Sequence, residues 1–164
     1  MKIIWGLLIA FMSISVSADP TTPSLHSFEK LEALLGDWKK EGADGDKFYI
    51  SFQSTANGSV ITENWIYKGA SHSLTVYHRD GKNLLATHYC PQGNQPRLRL
   101  QNSDKDKGSD LSFVFQDATN PASQEASHQH SLAFEFVDED TVIRSESYSK
   151  GGVITPSSLK LIRK

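Results

Sequence analysis

A single cysteine, Cys90, occurs in the 164 residues, so no intramolecular disulfide can form and stability has to come from packing. Positive charge is not in surplus either: 17 Lys and Arg stand against 19 Asp and Glu, a formal net charge of −2. That argues against a basic stripe for nucleic acid and against a polybasic patch for an anionic membrane. Long apolar runs are missing too. The longest, residues 3–12, is about half of the roughly 20 residues that a membrane-spanning helix requires. There are no internal repeats and, beyond the first third of the chain, no helical periodicity.

What is present begins with an address. Lys2, the apolar run and the small residues Val16-Ser17-Ala18 read as a secretory signal peptide cleaved after Ala18. No cysteine directly follows that point to carry a lipid. The expected organisation is a signal peptide over 1–18, a Thr/Pro linker over 19–23 and one domain over 24–164. Cleavage would remove Lys2 and leave a net charge of about −3. Such a protein is expected in the periplasm or outside the cell, not inserted in a membrane. The sequence carries no signature of oligomeric state.

Leu25, Phe28, Leu31 and Leu35 recur at helical spacing, with Pro23 suited to the start and Gly36 to the end, which predicts one short helix over 24–35. Everything after it alternates like strands: 36–41, 47–54, 59–67, 71–79, 82–90, 97–102, 110–116, 128–137, 141–149 and 157–163. Asn57-Gly58 and Asp80-Gly81 are two-residue hairpin signals, and Asp138-Glu139-Asp140 and Lys150-Gly151-Gly152 can also close tight turns. Short connections make sequential strands antiparallel neighbours. About ten of them, without helices for parallel crossovers, predict an all-β, antiparallel up-and-down barrel with one short N-terminal helix. A flatter sandwich is the alternative.

Polar chemistry gathers around one turn. Between Val76 and Leu98 lie Tyr77, His78, His88, Tyr89, Cys90 and Arg97. Closing a hairpin at Asp80-Gly81 puts Thr75 and Tyr77 on the face of Leu84, Ala86, His88 and Cys90, whereas a bulge would pair His78 with His88 instead. His130 shares the side of Leu132, Phe134 and Phe136, which places it inside. Glu63 and Trp65 alternate with apolar neighbours, and so do Arg144 and Glu146 beside Val142 and Tyr148, which makes them further lumen candidates. Buried charges need partners, so Arg144 and Glu63 also fit a structural ion pair. Arg97, after Gly93-Asn94-Gln95-Pro96, fits a rim.

Two motifs carry a resemblance. The short helix feeding Gly36-Asp37-Trp38 is similar to the lipocalin and fatty-acid-binding superfamily, which includes nitrobindin-type haem barrels. Tyr77-His78-x-Asp80-Gly81 with Thr87-His88-Tyr89-Cys90-x-x-Gly93-Asn94-Gln95-Pro96-Arg97 resembles a group of bacterial secreted lipocalin-like proteins. The resemblance runs from Leu31 to near the C-terminus. It implies a calyx that binds a small ligand and implies no reaction. Fatty-acid-binding barrels hold a carboxylate with inward Arg and Tyr. Nitrobindin-type barrels take their haem histidine from near the C-terminus, whereas no histidine here follows His130.

The expected protein is therefore a non-enzymatic binder of a small apolar or amphipathic molecule. Its site would draw on Glu63, Trp65, Tyr77, His78, His88, Cys90, Arg97, His130, Phe134 and Arg144, with Phe113 and Phe136 also lining the lumen. No cofactor is expected. Two alternatives stand beside it: a metal or haem barrel using His88, Cys90, His128 and His130, and a structural or interaction module whose lumen is filled. An enzyme would use Cys90 as nucleophile with His88 or His130 as base, but that spacing is no recognised nucleophile motif. Asn57-Gly58-Ser59 matches a glycosylation sequon, with the turn role favoured. Asp104-x-Asp106 begins like a calcium loop and then departs from it at Gly108, Ser109 and Phe115.

Overall fold

The structure is a computed structural model that describes residues 23–101 and 110–164. The expected signal peptide, most of the expected linker and the Asp104-x-Asp106 segment lie outside the described residues. Helix α1 (Pro23–Glu32) precedes ten strands: β1 (Gly36–Lys40), β2 (Phe48–Thr55), β3 (Val60–Tyr67), β4 (Ala70–Asp80), β5 (Asn83–Tyr89), β6 (Gln95–Leu100), β7 (Leu111–Thr119), β8 (His128–Asp138), β9 (Thr141–Lys150) and β10 (Val153–Arg163). Each strand pairs antiparallel with its sequence neighbours, and β1 pairs with both β2 and β10. The sheet is thus a closed barrel and not a sandwich, and closure leaves no free edge.

The turns depart from expectation in detail. Asp80 pairs with Asn83, so the two-residue loop is Gly81-Lys82 and not Asp80-Gly81. The offset is an even number of residues, so the grouping of faces is preserved and Tyr77 still shares a side with Ala86 and His88. Thr55 pairs with Val60, which makes the Asn57-Gly58 connection a four-residue loop, with positive φ at Ala56, Asn57 and Gly58.

Helix α1 closes one end of the barrel. Phe28, Leu31 and Leu34 are fully buried in one cluster with Trp38, Leu84 and Phe113. Sequence spacing pointed to Leu35, but the chain tightens after Glu32 through i→i+3 bonds, Leu34 N–H to Leu31 O at 3.0 Å among them. Such a turn stacks positions three apart and brings Leu34 in beneath Leu31. The Trp38 indole donates to Leu34 O at 2.6 Å, and Arg79, beside the β4–β5 turn, lies over the Phe28 ring at 5.4 Å. From the end of β10, Arg163 donates to Leu35 O and Ala33 O, each at 2.9 Å.

Gly36 is the pivot of this closure. Its φ is +117°, a region side chains rarely adopt, and an added Cβ would lie 3.2 Å from Arg163 Nη1. We expect Gly36→Ala to cost about 1–3 kcal/mol in urea unfolding. An unchanged midpoint would show that the pivot tolerates a side chain.

The waist of the barrel is filled. Phe52 on β2 and Phe134 on β8, four strands apart around the circumference, have ring centroids 6.1 Å apart. Tyr77 on β4 meets Phe113 at 5.8 Å and Phe134 at 6.3 Å. These rings touch across the lumen.

Candidate functional site

Beyond the waist, toward the end opposite α1, the lumen turns polar. Strand alternation makes it so: β3 sends in Ile61, Glu63 and Trp65, β4 Ser73, Thr75 and Tyr77, β5 Leu84, Ala86 and His88, and β9 Val142, Arg144, Glu146 and Tyr148. Glu63 and Arg144 are four strands apart, and Arg144 Nε donates to Glu63 Oε1 at 2.7 Å with both side chains fully buried. The Trp65 indole donates to the same oxygen at 2.6 Å, and the Tyr77 hydroxyl donates to Oε2. An Arg–Tyr grip of the fatty-acid-binding kind is therefore present, but the carboxylate it holds is the protein's own Glu63.

Glu146 is the second acid. Its Oε2 accepts from Gln129 Nε2 at 2.9 Å and forms an ion pair with Arg144 Nη1 at 3.0 Å. That contact lacks the alignment of a hydrogen bond, and Nη1, Nη2 and Gln129 Oε1 are buried without hydrogen-bond partners among the described residues. The Arg144 guanidinium also lies 4.8 Å from the Trp65 ring centroid. Burial alone would lower the Arg144 pKa, but the carboxylates of Glu63 and Glu146 override it, and the guanidinium is held charged. Burial and the Glu63 charge push Tyr77 well above the ordinary phenol range. Burial, with Glu146 next, raises Tyr148 as well.

His88 bridges the two sides of this layer. Its Nδ1 lies 3.0 Å from Thr75 Oγ1 and its Nε2 lies 3.3 Å from the Tyr148 hydroxyl. Burial depresses its pKa, opposed by the Glu63 charge. A neutral ring that accepts the Tyr148 O–H at Nε2 and donates from Nδ1 to Thr75 satisfies both contacts. Folded His88 then binds fewer protons than the unfolded chain, so its contribution is complete above about pH 6.5 and is lost as pH falls toward the folded midpoint. We expect an NMR titration of the imidazole to give a midpoint below 6.5. A midpoint above that value would show a charged ring and overturn the tautomer.

A cavity of about 90 Å³ opens beside these groups, lined by Trp65, His72, Ser73, His88, Pro91, Glu146 and Tyr148. Its rim is braced by the Cys90–Arg97 motif. Cys90 N–H donates to Asn94 O, Asn94 Nδ2 donates to Ser127 O at 2.8 Å, and Gln95 and Asn120 both donate to Gly93 O.

The sequence-derived residues divide accordingly. Glu63, Trp65, Tyr77, His88 and Arg144 come together in one layer, and Phe134 packs in the waist beneath it. His78 sits on the outer face, half-buried, opposite Val60 and Leu85. Arg97 also lies outside the lumen and pairs with Asp117 through two bonds of 2.6 and 2.5 Å. Cys90 is a free, buried thiol just past the end of β5.

The placement of His130 inside needs correction. A bulge between Gln129 and Ser131 breaks the alternation, Gln129 takes the fully buried position, and His130 is half-buried against Phe115, 6.1 Å between ring centroids. His128 lies over the same Phe115 at 4.4 Å, 6.3 Å from the His130 ring. The four proposed metal donors do not meet, and among the described residues no group of three or more His, Cys, Asp or Glu is placed to hold a metal.

Gln129, Thr75 and Ser73 were missed as site residues. Period-two alternation from Tyr77 reaches Thr75 and Ser73, but the bulge hides Gln129. The chain matches no family model, and no curated protein shows significant similarity to it.

Proposed function

We propose that this chain is an exported, non-enzymatic binding barrel of lipocalin-like type, acting in the periplasm or outside the cell, that holds a small polar molecule at the open end of its lumen. The supporting observation is the 90 Å³ cavity walled by Trp65, Ser73, His88, Glu146 and Tyr148, at the end that α1 leaves uncovered. That volume has room for about three waters, well below the several hundred Å³ of pockets for drug-sized ligands. The guest is accordingly smaller and more polar than the apolar or amphipathic molecule expected from sequence.

Native mass spectrometry of the protein purified from its own compartment, without chelator or metal resin, tests this. A stoichiometric small adduct that disappears in Ser73→Phe, which fills the cavity, is expected. An adduct-free spectrum for the wild type would overturn the proposal. It would favour the second reading, a structural or interaction module, which the ring contacts across the waist support independently.

A further inference from the structure

The charges around the cavity do not balance. Three ionisable groups of opposite sign meet in this layer, Glu63 and Glu146 against Arg144, and they leave one carboxylate in excess. His88 supplies no compensating charge at neutral pH, because burial keeps the ring neutral. The two acids are not equivalent. Glu63 is saturated, with Arg144 and Trp65 on one oxygen and Tyr77 on the other. Both contacts to Glu146, one hydrogen bond and one ion pair, fall on Oε2, its side chain is 13% exposed where Glu63 is at 0%, and Glu146 alone of the two lines the cavity.

From this we propose that the guest is a small monocation of the ammonium class, held by the Glu146 carboxylate between the rings of Trp65 and Tyr148; the inference rests on the binding reading above. A monocation brings the layer to neutrality, which removes the cost of a largely buried carboxylate in excess. The Trp65 ring already carries the Arg144 guanidinium 4.8 Å from its centroid, so Tyr148 is the wall left to add the attraction of an aromatic ring for a cation. The N–H groups of an ammonium find acceptors in Glu146 Oε1, the Ser73 hydroxyl and the Tyr148 oxygen, on three residues that line the cavity. An anion of the same size meets Glu146 as a like charge, and Arg144, whose Nη1 and Nη2 lack hydrogen-bond partners among the described residues, does not line the cavity, so the geometry favours the cation. The limit on size excludes long alkyl chains.

The test uses the full folded domain at pH 8 in ¹H–¹⁵N correlation spectra. The probes are methylammonium chloride, acetamide and sodium acetate, with sodium chloride matching ionic strength. Methylammonium is expected to shift the Trp65 indole and the His88 and Tyr148 amides saturably. The Trp38 indole, bonded to Leu34 O at the helix end, should stay in place as a marker of the fold. Glu146→Gln, nearly isosteric, should weaken methylammonium by about tenfold or more while keeping the Trp38 marker. Saturable shifts from acetamide or acetate but not methylammonium would overturn the cation and leave the binding cavity standing. A response to sodium chloride equal to that of methylammonium would overturn it as unspecific ion binding. No saturable shift from any probe would overturn both the cation and the cavity as a binding site.

Discussion

Arg144→Met should lower the free energy of unfolding by about 3–5 kcal/mol, measured by urea denaturation followed by circular dichroism. Methionine fills most of the volume, so packing loss is secondary. The main cost is electrostatic: Glu63 is completely enclosed and Glu146 nearly so, and without the guanidinium two carboxylates face each other in the lumen with only neutral donors. A double-mutant cycle isolates the pair. With Glu63→Gln in the same chain, the uncompensated charge at that position is gone, and the combined loss should fall short of the sum of the single losses by about 1–3 kcal/mol. Additive losses would show that the 2.7 Å contact carries no coupling, and the cross-lumen brace would have to be abandoned. The absolute stability of such a pair is not the point, since apolar replacements of whole buried ion pairs are often neutral. Its consequence is positional. It ties β3 to β9 across the lumen and determines which acid is left to face the cavity.

Phe134→Ala should also cost about 3–5 kcal/mol, because the ring is fully buried and meets Phe52 and Tyr77, which reach it from the far wall and are themselves fully buried. The same substitution should turn a filled waist into an apolar cavity. Benzene, added at saturating concentration, is then expected to raise the melting temperature of the variant and to leave that of the wild type unchanged. A variant as stable as the wild type would mean that the waist is loosely packed. A wild type that responds to benzene would mean that apolar guests already have room, and the small polar guest proposed above would lose its size argument.

Much of this was legible in residue order. Period-two alternation in Ile61-x-Glu63-x-Trp65 and Val142-x-Arg144-x-Glu146-x-Tyr148 assigns these side chains to one face without knowledge of any partner, and both runs do face the lumen. The His88–Tyr77 grouping survived a misplaced turn because the error was an even number of residues. His130 and Gln129 exchanged roles because a bulge is a property of the pair of strands and leaves no mark on one of them. His78 and Arg97 stood beside site residues in sequence and face outward in space, since neighbours on a strand point to opposite sides.

Composition and alternation by themselves determined the class of this protein. Without a second helical segment, ten short alternating stretches joined by turns make an antiparallel all-β fold, an up-and-down barrel or a flatter sandwich, and the structure closes it into the barrel. Sequence could name an Arg and two Glu as inward-facing but could not pair them, because their contacts join strands four places apart around the barrel, and local patterns carry no distance across a lumen. Only the tertiary structure decided that the Arg–Tyr grip closes on Glu63, that α1 seals one end, that aromatic rings fill the waist and that Glu146 faces the remaining space. Those outcomes follow from barrel closure, which fixes strand order around the wall and so selects the side chains that meet in the middle.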